Sequence, residues 1–92
     1  MEDVRAHVVI SGKVQGVFFR AETQRSAENH EVSGWVRNRL DGKVEALFEG
    51  DEDDVRNILD WCRGGSTYSQ VKNVQVEWEE YVGEFDEFEI VY

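Results

Sequence analysis

Residues 5–20 read RAHVVISGKVQGVFFR, and this stretch decides the fold because its period changes halfway along. From Arg5 to Ser11, the residues Ala6, Val8 and Ile10 share one face at the two-residue spacing of a strand. Helix formers take over from about Phe19 to Ala21, and a helix is expected over Ala21 to His30, with Thr23, Ala27 and His30 on its thin inner side. Between the two periods, Gly12 and Gly16 bracket Lys13-Val14-Gln15. Glycine takes positive φ without steric cost, so this loop can turn tightly and aim successive N–H groups into one concavity. The unpaired N–H groups that open the helix add to them, and Arg20 at the lip carries a planar guanidinium suited to bidentate phosphate binding. The pattern describes an anion cradle. No Gly-Lys-Ser/Thr closes it, which argues against a nucleotide-and-magnesium loop. Taken alone, the same glycines also fit a plain strand-to-helix connection with a solvated arginine.

Downstream, Gly34 to Leu40 and Lys43 to Glu49 flank Asp41-Gly42, the signal of a hairpin with a two-residue type I′ turn. Val44, Ala46 and Phe48 alternate with Lys43, Glu45, Leu47 and Glu49, as in a sheet with one covered face. A second helix is expected over Asp51 to Arg63, where Val55, Ile58, Leu59 and Cys62 form an apolar stripe. The acidic run Asp51 to Asp54 suits its N-terminus, and Gly64-Gly65 its end. Two last strands are expected over Val71 to Trp78 and Phe85 to Tyr92. The order is β-α-β-β-α-β plus a short C-terminal strand. That is the α+β, ferredoxin-like split arrangement, an antiparallel sheet with two helices on one face. It places the strand carrying Gly34-Trp35-Val36-Arg37-Asn38 beside the cradle, where Asn38 can offer both a carbonyl acceptor and an amide donor.

At 92 residues, a single domain over 1–92 with a core over 4–92 is expected, and 40% hydrophobic residues suffice to build it. One cysteine, Cys62, excludes an internal disulfide and a multi-cysteine zinc site. No apolar leader or membrane-spanning run is visible, so a cytoplasmic protein is expected. Twenty acidic residues against ten basic ones give a net charge of -10, which opposes nucleic acid and anionic membranes as partners. Among the basic residues only Lys13, Lys43 and Lys72 are lysines. An acid-rich, lysine-poor surface suits a high-salt host, where a Debye length of about 3 Å near molar salt would spare short contacts in the cradle; the same charge also fits an ordinary acidic protein that uses it for solubility.

With both motifs on the page, the chain resembles the acylphosphatase family. The family's loop Gly-x-Val-Gln-Gly-Val-x-Phe-Arg is matched from Gly12 to Arg20, and its Gly-Trp-Val-Arg-Asn from Gly34 to Asn38. Gly42-Lys43-Val44-Glu45 and Phe88 to Tyr92 are similar to its later strands. The resemblance implies hydrolysis of small acyl phosphates to a carboxylate and phosphate, with neither metal nor cofactor; a monomer is expected, with no coiled-coil heptad in the sequence. It assigns phosphate binding to Arg20 and to the backbone of Gln15, Gly16, Val17, Phe18 and Phe19, and orientation of the attacking water to Asn38. Gly64-Gly65-Ser66 departs from the family's common Gly-Pro step, and His30 stands where an apolar residue is usual.

The other reactive side chains read as structural. His30 is expected either to tuck against the sheet or to cap carbonyls at a helix end, His7 to face the open side of the sheet, Cys62 to be a core thiol, and Arg37 to point away from Asn38. Lys13 has no fixed direction. The competing reading is a non-catalytic ferredoxin-like module that binds phosphate or nucleic acid. No pattern marks a pocket for the acyl tail.

Overall fold

In the computed structural model, which describes residues 2–92, the chain runs β1 (Asp3–Lys13), α1 (Phe19–Asn29), β2 (Ser33–Asn38), β3 (Val44–Asp51), α2 (Glu52–Gly64), β4 (Gln70–Glu79) and β5 (Phe88–Ile90). The five strands form one sheet in the order β4-β1-β3-β2-β5, with two helices packed on it. This is the expected ferredoxin-like α+β fold. Adjacent pairs are antiparallel except β2 and β5, which run parallel with Gly34 opposite Phe88 and Val36 opposite Ile90, so the sheet as a whole is mixed.

β3 is the central strand, and β1 lies beside it with a strict alternation that turns one face to the helices. Ala6, Val8 and Ile10 are fully buried under the helices, together with Val44, Ala46 and Phe48 of β3. α2 contributes Val55, Ile58, Leu59 and Cys62, as its spacing requires, each burial stabilising by roughly 1.5–3 kcal/mol relative to exposure for the aliphatic members. The Asp51 side chain caps α2 by accepting the Asp53 N–H at 3.0 Å, and Gly65 closes its other end on the Trp61 carbonyl at 2.8 Å. The thin stripe of α1 buries Phe19, Thr23, Ser26 and Ala27. The buried Thr23 hydroxyl is satisfied within the helix, donating to the Phe19 carbonyl at 2.7 Å. Phe19 and Trp61, at 5.6 Å between ring centroids, join the two helices.

Three expectations change. The β2–β3 connection is not a two-residue type I′ turn. Arg39 and Lys43 pair across it (N–H to carbonyl, 2.8 Å), and the Gly42 N–H returns to the Arg39 carbonyl at 3.3 Å. Type I′ demands positive φ at both central residues, yet among the described residues Asp41 keeps negative φ while Gly42 sits at +88°. The result is a three-residue loop, Leu40-Asp41-Gly42, with the glycine in the left-handed position. The last strand is also shorter than Phe85 to Tyr92, because regular pairing holds only where Phe88–Ile90 lies along β2.

Finally, the sheet's second face is not open. Leu47 and Glu49 are buried there, and the Glu49 carboxylate receives the Arg5 guanidinium at 3.0 Å and the Val82 and Gly83 N–H groups at 3.0 and 3.2 Å. The connector between β4 and β5 is strapped across that face by these bonds.

Candidate active site

The cradle begins where β1 leaves the sheet. A bulge between Ser11 and Gly12 breaks the β1–β4 register, and Gly12, at φ +127°, lies so close to β4 that a Cβ would meet the Gln70 carbonyl oxygen at 2.1 Å. Val14 then plugs the core, and the chain turns through Gly16 (φ +72°) and Phe18 (φ 62°) into α1. Phe18 occupies the N-cap position without a side-chain cap.

That geometry leaves the loop's donors free. From Gln15 through Ala21, no backbone N–H donates to any group among the described residues, and the first helical bond is Glu22 N–H to the Phe18 carbonyl at 3.1 Å. These donors combine with the positive end of the α1 dipole at one loop. Arg20, in the first turn, makes no ion pair among the described residues, and its Cζ lies 5.0 Å from the Tyr92 ring centroid. The ring attracts the guanidinium at cation–π distance, and no carboxylate among the described residues takes up its N–H donors.

The Gln15 side chain positions the other half of the site. Its Nε2 donates to the Arg39 carbonyl at 2.7 Å and to the Lys43 carbonyl at 2.8 Å, binding the cradle to the hairpin that follows Asn38. Asn38 ends β2 opposite Val44, exposed, with no side-chain hydrogen bond among the described residues. A cavity of about 320 Å³ is lined by Val14, Gly16, Phe18, Phe19, Arg20, Ala21, Asn38, Ile90 and Tyr92.

Of the residues singled out in the sequence, Gly16, Phe18, Phe19, Arg20 and Asn38 therefore border one cavity. Gln15 and Val17 do not line it. Gln15 turns its amide to the hairpin, and Val17 packs half-buried against the core. Tyr92 and Ile90 were missed. They reach the site only because β5 runs parallel to β2, and the alternation of Phe88, Ile90 and Tyr92 gives no hint of which strand they join.

The remaining candidates do structural work. His30 caps α1, with its Nδ1 2.7 Å from the Ser26 carbonyl oxygen. His7 meets Glu45 on the second face, and Arg37 donates to the other oxygen of that carboxylate at 2.7 Å. Burial alone would raise the Glu45 carboxyl, but the His7 and Arg37 bonds outweigh it and hold it below the usual range. Burial pushes the Cys62 thiol up to about 12, so it is an inert core group. Among the described residues, no group of three or more His, Cys, Asp or Glu is placed to hold a metal ion, and no helix is long and apolar enough to cross a membrane.

Comparison with known proteins is consistent along nearly the whole chain. The acylphosphatase family model matches residues 6–90. An acylphosphatase of Pelotomaculum thermopropionicum is 53% identical over 92 residues, covering 100% of both chains. One from Pyrobaculum aerophilum is 53% identical over 92 residues, covering 99% of this chain and 97% of that protein. The crystal structure of acylphosphatase from Bacillus subtilis superimposes with a TM-score of 0.93 at 35% identity, covering 97% of this chain and 99% of the other.

Proposed function

The chain belongs to the acylphosphatase family, and from that membership we propose how its site hydrolyses a small acyl phosphate. The phosphoryl oxygens are received by the N–H groups of Gln15 to Phe19 and by the edge of the Arg20 guanidinium. Asn38 accepts a hydrogen bond from the attacking water through its side-chain carbonyl and steadies a phosphoryl oxygen through its amide. The water oxygen bonds to phosphorus as the bond from phosphorus to the acyl oxygen breaks. The electron pair leaves on the carboxylate, and one proton passes from the water to the phosphate itself. Products are a carboxylate and dihydrogen phosphate, so atoms and charge balance.

The chemistry asks little of the protein. A carboxylate with a conjugate-acid pKa of about 4 leaves without a general acid. Phosphoryl transfer then depends on positioning and on fixed donors at the equatorial oxygens. The supporting observation is the unpaired run of N–H groups from Gln15 through Ala21, beside an arginine without a carboxylate partner among the described residues.

The test is an assay with acetyl phosphate on the parent, Arg20→Ala and Asn38→Ala. Each variant is expected to lose about 100-fold or more in kcat/KM, the scale of removing one donor from a charge-stabilising site. Arg20→Ala should also raise KM and weaken inhibition by inorganic phosphate. Near-parental turnover in either variant removes its assigned role. Phosphate binding without turnover in the parent would favour a non-catalytic phosphate-binding module instead. The proposal extends to a cytoplasmic monomer that does not engage nucleic acid; the net charge of -10 supports the last point by repelling a polyanion.

A further inference from the structure

The cavity's lining divides sharply by chemistry. Beside the amides, Arg20 and Asn38 stand six apolar or aromatic side chains: Val14, Phe18, Phe19, Ala21, Ile90 and Tyr92. Val14 and Phe19 belong to the core, and Ile90 packs half-buried against it. Phe18 and Tyr92 do not. Phe18 is 74% exposed and Tyr92 100% exposed, so neither ring is placed there by core burial.

Phe18 carries a second anomaly. It holds φ 62° and ψ 17°, the left-handed region that bulky residues avoid and glycine enters freely. That conformation turns the loop into α1, and the same turn sets a solvent-facing ring at the rim of the site. Tyr92 is far from Phe18 in sequence, and its ring centroid lies 5.0 Å from the Arg20 Cζ, at the mouth of the same cavity.

Charge narrows the ligand. Among the described residues, Arg20 is the sole charged one lining this cavity, and the phosphoryl group claims it. The adjoining cleft shares Asn38 and contains Arg37 and Arg39, but Arg37 is paired with Glu45 at 2.7 Å and Arg39 with Asp41 at 3.1 Å. An acyl tail bearing its own carboxylate therefore meets no unpaired cation among the described residues at either place, on a protein of net charge -10.

We propose that Phe18 and Tyr92 are specificity-determining residues that bracket the acyl group, so that the enzyme selects acyl phosphates whose acyl group is uncharged and aromatic or branched. This rests on the phosphate-and-water reading above. Transferring such a group from water to two rings favours it over acetyl by about tenfold in kcat/KM, within the range that apolar pockets deliver.

The experiment compares kcat/KM for benzoyl phosphate, acetyl phosphate and succinyl monophosphate in the parent, Phe18→Gly and Tyr92→Ala. Benzoate and acetate are carboxylates of similar basicity, so their ratio reads binding more than bond strength. Effects on Arg20 or on the cradle common to all substrates cancel in the ratio. Phe18→Gly removes the ring while relieving the left-handed backbone, which separates lost selectivity from lost folding. The parent should prefer benzoyl over acetyl phosphate by about tenfold, mainly through KM, and should treat the succinyl compound worst. Each variant should bring the benzoyl-to-acetyl ratio down by about threefold or more. A parental ratio near unity, a preference for succinyl monophosphate, or variants that keep the parental ratio overturns the inference while leaving the hydrolase reading standing. A parent inert on all three overturns that reading, and this one with it.

Discussion

Gln15 Nε2 donates to the Arg39 carbonyl oxygen at 2.7 Å, and through the Lys43 carbonyl at 2.8 Å the same amide grips both sides of the hairpin neck. One side chain thereby ties the phosphate cradle to the hairpin that follows Asn38. Gln15→Glu sets a carboxylate against two carbonyl oxygens, replacing two donated bonds by repulsion. kcat on acetyl phosphate is expected to fall by about 10–100-fold, the scale of a small misplacement of a positioning group. KM should change less, because the loop amides remain. Steady-state kinetics decide it: an unchanged kcat would show that the cradle and hairpin hold their spacing without the clamp.

Gln15 also marks where sequence reading stops. Local periodicity made β1 and α2 legible, since Ala6-Val8-Ile10 and Val55-Ile58-Leu59-Cys62 each obey one period throughout. Topology then brought Asn38 near the cradle, because the split arrangement allows β2 few places to lie. The direction of the Gln15 side chain obeys no period; it depends on two carbonyls more than twenty residues away. Tyr92 was hidden because parallel pairing of β5 with β2 leaves no local signature. The Asp41-Gly42 pair misled for a related reason. It fits both a two-residue and a three-residue loop, and the Asp41 carboxylate, accepting the Lys43 N–H at 3.1 Å, favours the longer one.

Gly12 tests the close approach of β1 and β4 beneath the cradle. At φ +127°, an added Cβ would stand 2.1 Å from the Gln70 carbonyl oxygen and 2.8 Å from the Lys72 nitrogen. Both are backbone atoms and cannot swing aside. Gly12→Ala is expected to destabilise by about 3 kcal/mol or more, because the strand must shift or the bulge must reform. Urea unfolding of the two proteins measures this directly, and a loss under about 1 kcal/mol would mean that the β1–β4 edge yields readily.

The strap over the second sheet face gives the fold an acid limit. Burial alone would raise the Glu49 carboxyl, but the Val82 N–H, the Arg5 guanidinium and the Gly83 N–H together hold it below the usual carboxylate range. A group depressed in the folded state stabilises above its unfolded value, about 4.3 for Glu, and that contribution is lost as pH falls through the folded value. Glu45 acts with the same sign. The Tm should hold nearly constant from about pH 7 to pH 5 and then fall below about pH 4.5. Glu49→Gln should cost about 2 kcal/mol or more at pH 7, since it removes a buried charge partner of Arg5, and should flatten the acid slope. Thermal melts from pH 3 to pH 7 check both; a parental slope in the variant would place the acid sensitivity elsewhere.

Salt sets two electrostatic effects against each other. Arg5, Arg37, Arg39, Arg56 and Arg63 are all engaged with carboxylates at 2.7–3.1 Å, which salt weakens. Yet twenty acidic residues face ten basic ones, and the excess repels itself over distances well beyond those contacts. Screening removes the long-range part first: the Debye length shrinks from about 10 Å at 0.1 M to about 3 Å at 1 M, comparable to the length of the paired contacts themselves. Exposed pairs contribute about 0–1 kcal/mol each, so relief of the net charge of -10 should win. Tm is expected to rise by several degrees between about 0.1 and 1 M sodium chloride, corresponding to about 1 kcal/mol for a domain of this size. KM for the anionic substrate should fall over the lower part of that range, before chloride competes for the cradle. A Tm that drops steadily with salt would show that the arginine pairs dominate and that the acidic surface is not an adaptation to high ionic strength.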